Sequence, residues 1–293
     1  MPWASRYNQE MPPRIAIPVP HSGDPEYAGR ALPQYQRAVM MAGGEPIPVP
    51  LDLTPAEVMK IIEQCDGVLL PGSKADVDPA KFNAAPGSQT AAPDPRRDTV
   101  DELLLQDAYH MRKPVLGICY GLQSLNVYRS GSLIQHIPDF LPEDLRTTVN
   151  HEAGRKVKVA HKVDIEPQSV LAEIVRGSLP AKVQFARGED SAHRKPAASP
   201  GASATVVIPV NSSHHQSAGV IGDGLRVVAR CVEDGMVEAL EGTSLDHFVM
   251  AVQWHPERSV DDDEPSRAIF RALVEAARAR HQQLAGEFEN LKL

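Results

Sequence analysis

Cysteine is scarce in this chain of 293 residues, occurring only as Cys65, Cys119 and Cys231, with no Cys-x-x-Cys pair and no even framework of spacings. That excludes a scaffold stapled by disulfides and points to a reducing, cytoplasmic setting. Positive charge is not in excess either: 30 Lys and Arg stand against 38 Asp and Glu, for a net charge of −8. Neither nucleic acid nor an anionic membrane is therefore the expected main partner. No apolar run is long enough to span a bilayer, and Met1 to Asn8 lacks the apolar core of a signal peptide. His-Glu-x-x-His is missing, the adjacent His214 and His215 cannot easily place both rings on one ion, and His151 and His161 have no cysteine or carboxylate at ligand spacing. Pro71-Gly72-Ser73-Lys74 lacks the first glycine and spacer of a phosphate loop. No metal and no cofactor is expected.

What is present is a steady alternation of short apolar runs with helical patterns, enough at 42% hydrophobic residues to bury a sizeable core. Arg14 to Val19 reads as a strand and Tyr27 to Met41 as a helix stopped by Gly43-Gly44. Residues 46–50 read as a proline-rich edge strand, Pro55 to Gln64 as a helix capped by Thr54, and Gly67 to Leu70 as a buried strand. A helix is expected from about Asp98 to Met111. Such βα repeats imply an α/β fold, a mainly parallel sheet with helices on both faces. Farther on, Lys156 to Ile165 alternates in the manner of a half-exposed strand, the kind that makes an antiparallel addition. The C-terminal helix begins near Pro265, with Ile269, Leu273, Val274 and Ala277 as its apolar face. One domain is expected over 14–278, between a tail at 1–13 and a helix end or tail at 279–293 that could cap a homodimer. Residues 188–204, polar and rich in Pro, Ser and Ala, read as a flexible insertion.

Within this pattern, Gly117-Ile118-Cys119-Tyr120-Gly121 follows the apolar run that starts at Pro114 and precedes a helix over Leu122 to Tyr128. A cysteine on such a strand-to-helix turn is a nucleophile elbow, with glycines removing the Cβ atoms that would clash. The helix N-terminus is expected to favour its thiolate. Far downstream, Phe248 to Trp254 runs into His255-Pro256-Glu257. Both segments meet their polar residues at a strand's C-terminal end, the edge where open parallel sheets bind ligands. His255 can thus serve Cys119 as base, and Glu257 can fix the imidazole tautomer from the other nitrogen. Cys65 and Cys231 lie beside apolar runs and read as packed thiols.

Gly117 to Gln123, together with Val252 to Glu257, resembles the class I glutamine amidotransferases, whose fold is flavodoxin-like. Asp66 to Ser73 with Asp76-Val77-Asp78-Pro79, Asp94-Pro95-Arg96-Arg97-Asp98, and Val210-Asn211-Ser212-Ser213-His214-His215-Gln216 narrow the resemblance to the gamma-glutamyl hydrolase branch of peptidase C26 type, from about residue 14 to 275. The resemblance implies that Cys119 attacks a gamma-glutamyl carbonyl, that His255 protonates the leaving amine, and that Glu257 orients His255. It implies an oxyanion hole of backbone N–H groups from Tyr120 and from the Gly72-Ser73 loop, with Gln123, His214 and His215 at the substrate. Relatives commonly carry Pro-Gly-Gly where this chain has Pro71-Gly72-Ser73, a departure that bears on the rate and the precise donor. Asp78, Arg96 and Arg97 are weaker binding candidates, explained equally well by capping or surface ion pairs. Lys74 reads as a solvated loop lysine rather than a partner for a substrate carboxylate.

Three functions follow: a stand-alone hydrolase of small gamma-glutamyl amides, a glutaminase subunit supplying ammonia to a synthetase, or a catalytically silent regulator on the same scaffold.

Overall fold

A computed structural model describes residues 11–177 and 206–290. The reading of 188–204 as an insertion lies outside the described residues. The chain begins with β1 (Arg14–Pro18), α1 (Pro25–Met41), β2 (Glu45–Val49), α2 (Pro55–Ile62), β3 (Gly67–Leu70), α3 (Pro95–Met111), β4 (Val115–Ile118) and α4 (Tyr120–Tyr128). There follow β5 (Leu133–Ile134), α5 (Ile137–Phe140), β6 (His161–Ile165), α6 (Val170–Val175), β7 (Val206–Val210) and β8 (Ser217–Ala218). The last elements are β9 (Leu225–Cys231), β10 (Val237–Gly242), β11 (Val249–Val252) and α7 (Glu264–Asn290).

Nine strands form one sheet in the order β2-β1-β3-β4-β11-β10-β9-β6-β7. Every neighbouring pair from β2 to β11 is parallel, and every pair from β11 to β7 is antiparallel. The parallel half has the strand order of the flavodoxin-like doubly wound sheet. Its inner strands β1, β3, β4 and β11 are buried on both faces, which is why they read as continuous apolar runs, whereas β2 is a partly exposed edge strand. Alternate residues serve alternate layers. Ile15, Ile17, Leu69, Leu116 and Ile118 pack with Val39 of α1 and Phe270, Leu273 and Val274 of α7. Ala16, Val68, Leu70 and Val115 pack with Val58 of α2, Leu104 of α3 and Leu122 of α4. The expected apolar face of the last helix, Ile269, Leu273, Val274 and Ala277, is buried throughout.

Local chemistry explains most boundaries. Thr54 closes a capping box with Glu57, whose carboxylate reaches back 2.9 Å to the Thr54 N–H. Helix α3 begins at Pro95, three residues before the expected start, because Asp94 accepts from the Arg97 N–H and Pro95 takes the first helical position. The strand expected from Lys156 begins only at His161; within it the alternation of buried and exposed residues is as expected.

Two glycines give this fold a sharp test. A Cβ on Gly121 would stand 2.1 Å from the Leu70 carbonyl oxygen, and Leu70 pairs in register with Gly117, so that backbone cannot retreat. Gly29 sits inside α1 with nothing within 4 Å of a Cβ. In urea melts, Gly121→Ala is expected to lose at least about 3 kcal/mol or fail to fold, and Gly29→Ala to gain about 0.5–1 kcal/mol.

Candidate active site

Strand register brings the candidate nucleophile and base together. Ile118 pairs with Val252, and the Cys119 N–H donates 2.8 Å to the Val252 carbonyl, so β4 and β11 end side by side. Cys119 follows at once, with φ 53° and ψ −105°. A side-chain-bearing residue there stores roughly 1–3 kcal/mol of strain, consistent with the elbow expected from its flanking glycines. A Cβ on Gly72 would lie 3.0 Å from His255 Cε1, 3.1 Å from the Tyr35 hydroxyl and 3.6 Å from Cys119 Cβ. The Gly72 loop, the imidazole and the cysteine therefore surround one point, which only a glycine leaves open.

His255 is held from both ends. Its Nδ1 is 2.8 Å from Glu257 Oε1, leaving Nε2 as a buried nitrogen with no partner among the described residues. Its backbone is clamped by Asn211, which donates 2.9 Å to the His255 carbonyl and accepts 3.0 Å from the His255 N–H. Arg258 stands 3.4 Å from the same Glu257 oxygen and donates to Ser213. Burial would raise the Glu257 carboxyl, but the attraction and hydrogen bond of His255 bring it below its usual range. Burial lowers the His255 imidazole despite Glu257. The Cys119 thiol is pushed up to about 12 by burial, against the smaller pull of Arg258 and the Tyr120 N–H. Burial thus opposes the thiolate expected at the helix N-terminus.

The remaining expected site residues divide. The Gly72 N–H donates 3.0 Å to the Tyr35 hydroxyl, so it is already engaged, which leaves Ser73 and Tyr120 as the expected backbone donors. Gln123 is buried, its amide nitrogen 3.3 Å from the Gln216 carbonyl and 3.4 Å from Gln253 Oε1. His214 is also buried and faces Glu238 at 3.7 Å, whereas His215 binds Asp76 at 2.9 Å. Both line a cavity of about 190 Å³ with His151, Arg146 and Ile137. Lys74 pairs with Asp24 at 2.7 Å, and Asp78 caps a short 3-10 turn through the Ala80 N–H.

Arg97 is a correction. As a substrate-binding candidate it should be open, yet it is completely buried. Its guanidinium donates to Asp101 (2.7 Å), to the Pro20 carbonyl (3.0 Å) and to the Pro71 carbonyl (2.7 Å), and lies 4.9 Å from the Tyr120 ring centre. Tyr120 in turn donates 2.5 Å to Asp98. One cation therefore fixes the loop before Gly72 and the residue after Cys119. The Arg97-Asp101 spacing of four along α3 was the available signal; the carbonyl partners were not.

The strained cysteine elbow and the histidine at the neighbouring strand end, on a sheet of this order, define a class I glutamine amidotransferase-like fold. The peptidase C26 family pattern matches residues 20–257, and this chain belongs to that family and is an amidohydrolase acting on C–N bonds. It is 32% identical over 247 residues to the gamma-glutamyl-gamma-aminobutyrate hydrolase PuuD of Escherichia coli, covering 83% of this chain and 84% of that protein. A glutamine amidotransferase-like protein of Rickettsia prowazekii is 31% identical over 261 residues, covering 87% and 90%. Among solved structures, PurLQS of Thermotoga maritima has a TM-score of 0.50 at 18% identity, covering 90% of this chain and 99% of its own. A Thermoplasma acidophilum protein, provisionally named as one component of a GMP synthase, has a TM-score of 0.58 at 16% identity, covering 94% and 99%. At these identities the two structures speak for the fold alone.

Replacing Arg97 by Met leaves Asp101 a buried carboxylate without its partner. The variant is expected to lose about 3–5 kcal/mol in denaturant melts, and a loss under about 1 kcal/mol would show the network to be dispensable.

Proposed function

We propose that this chain is a cysteine-dependent hydrolase of small gamma-glutamyl amides, gamma-glutamyl-gamma-aminobutyrate among them, that works through a glutamyl thioester. The observation that carries the reading is the convergence of strained Cys119 and Glu257-fixed His255 on the point kept open by Gly72. Family membership and the E. coli relative support the substrate class.

The protonation states shape the mechanism. Cys119 rests as a neutral thiol beside a neutral imidazole, because burial disfavours the charged form of each. Substrate arrival triggers proton transfer: His255 Nε2 takes the Cys119 proton as the sulfur attacks the δ-carbonyl carbon. The tetrahedral oxyanion accepts from the backbone N–H groups of Tyr120 and Ser73. Glu257 stabilises the imidazolium, which hands its proton to the departing amine as the C–N bond breaks. His255 then deprotonates a water that attacks the thioester, glutamate leaves, and the proton returns to sulfur. Gln123, His214 and His215 would act behind the substrate.

Glutamate release from a panel including glutamine and gamma-glutamyl-gamma-aminobutyrate tests this reading. One amide should be cleaved by the isolated protein, with turnover lowered about 10⁴- to 10⁶-fold in Cys119→Ser and His255→Ala and less in Glu257→Gln. Silence on every amide would move the weight to a partner-dependent glutaminase or a regulator. The pH dependence follows from the shifts. A base must be neutral, and His255 is lowered from its ordinary value near 6.5, so kcat/KM should fall only as pH drops below about 6.5. Alkylation of the resting enzyme at Cys119 should accelerate only above the roughly 8.5 of a free thiol. Rapid alkylation at pH 6 would mean a resting ion pair instead.

A further inference from the structure

His151 and His161, read from sequence as lacking any carboxylate within ligand reach, share one. Glu238, on β10, is fully buried, and three imidazoles close on its Oε1: His161 Nε2 at 2.9 Å, His151 Nδ1 at 3.5 Å and His214 Nε2 at 3.7 Å. The three histidines are each about 5% exposed. Their rings crowd together, with centroids 4.7 Å apart for His151 and His161 and 4.8 Å for His151 and His214.

The outer hydrogen bonds decide which nitrogens face inward. His214 Nδ1 is 2.9 Å from the Gln216 carbonyl, which can only accept, so Nδ1 carries the proton and a neutral His214 presents a lone pair at Nε2. His151 Nε2 is 2.8 Å from Asp234 Oδ2, a contact that turns His151 Nδ1 inward. Neither inward nitrogen has a hydrogen-bond partner among the described residues, and Glu238 Oε2 has none either. The inward nitrogens of His151 and His214 and a carboxylate oxygen of Glu238 therefore meet inside the fold, with His161 Nε2 the one ring nitrogen of the three at hydrogen-bond distance from that oxygen. A cation among these groups would relieve the repulsion between acceptors.

We propose that His151 Nδ1, His161 Nε2 and Glu238 Oε1, three residues whose ligand atoms lie within 4.8 Å of one another, hold one divalent transition-metal ion of the zinc class. Bonds of about 2.0–2.1 Å in a tetrahedral arrangement set neighbouring ligand atoms about 3.3 Å apart, and the separations from Glu238 Oε1, 2.9 Å to His161 and 3.5 Å to His151, bracket that value. Imidazole nitrogens select zinc-like ions over magnesium or calcium. The outer contact of His151 is one that a ligating histidine makes, from its Nε2 to the Asp234 carboxylate. Glu238 and Asp234 together balance a 2+ ion. The ligands come from β6, β10 and the loop before β6, so the ion would tie together strands of the antiparallel half of the sheet. It would also reach His255: the Glu238 carbonyl accepts 2.7 Å from the Gln253 N–H, and the loop of His214 carries Asn211, which clamps the His255 backbone.

Metal analysis of full-length protein grown with zinc tests this without reference to turnover. About one zinc per chain is expected. Chelator-stripped protein should melt at lower temperature, regain its stability with zinc, and with Co2+ develop the visible bands of a four-coordinate site. Asp234→Asn should weaken uptake about 10- to 100-fold, Glu238→Gln at least tenfold, and His281→Ala, at the surface against Asp66, not at all. Wild-type protein that holds no stoichiometric metal and neither binds nor is stabilised by added zinc or cobalt would overturn the proposal, leaving the cluster held by shared protons. Uptake unchanged in both carboxylate variants would overturn it equally. The wild-type measurements decide even where a variant does not fold.

Discussion

Everything at this site depends on how closely three parallel strands approach at their carboxyl ends. Gly117, Gly121 and Gly72 each stand where a Cβ would meet the neighbouring turn, the Leu70 carbonyl or the His255 ring. Removing those atoms lets α4 start on the residue after Cys119 and turns that cysteine into a conformation that costs strain. The sheet bears that cost. Cys119 is lashed by its own N–H to Val252, and pairing along β3, β4 and β11 fixes both strand ends before either side chain is placed. Rigidity here comes from hydrogen bonds of the backbone rather than from the reacting groups, so the site is organised in advance of any substrate.

Burial then sets the electrostatic character. Arg97, Glu257, Glu238 and His255 are all withdrawn from water, and each is compensated by named partners. In such surroundings a separated thiolate and imidazolium have nothing like water to stabilise them. On the proposed mechanism the pair rests neutral, and charge develops only when a substrate supplies the carbonyl that accepts it. Arg97 contributes without touching the reaction: by holding the Pro71 carbonyl and lying against Tyr120, it keeps two separate backbone segments in fixed relation.

What could be read from the sequence was whatever is local. The elbow, the His255-Pro256-Glu257 end, the cap at Thr54 and the buried strand at Gly67–Leu70 each declare themselves within a few residues, because period, glycine placement and capping are short-range chemistry. The fold class followed from their repetition. Arg97, Asn211 and Glu238 stayed hidden for the opposite reason: their partners are Pro20 and Pro71, His255, and three histidines, each reached only through the tertiary fold. Apparent exposure misled in the same way. An arginine beside Asp-Pro and histidines in polar stretches look solvated until the strand order is known. Burial of the Cys119 sulfur, which opposes the thiolate that a helix N-terminus favours, depends on what covers it, and no local motif encodes that.

The antiparallel half of the sheet is more than an appendage to the doubly wound core. Strand β10 lies between β11, whose end leads to His255, and β9, and it carries Glu238 into the histidine cluster. A change in that cluster has two short routes to His255, one through the Gln253 N–H on the Glu238 carbonyl and one through the Asn211 clamp. Both act on the backbone of His255, and its Nδ1 is already committed to Glu257, so a shift of the backbone must move the free Nε2 relative to Cys119. Proton transfer between sulfur and nitrogen is steeply sensitive to that separation. The parallel strands thus position the candidate nucleophile, the antiparallel strands hold the candidate base, and the proposed reaction draws on both halves of the sheet.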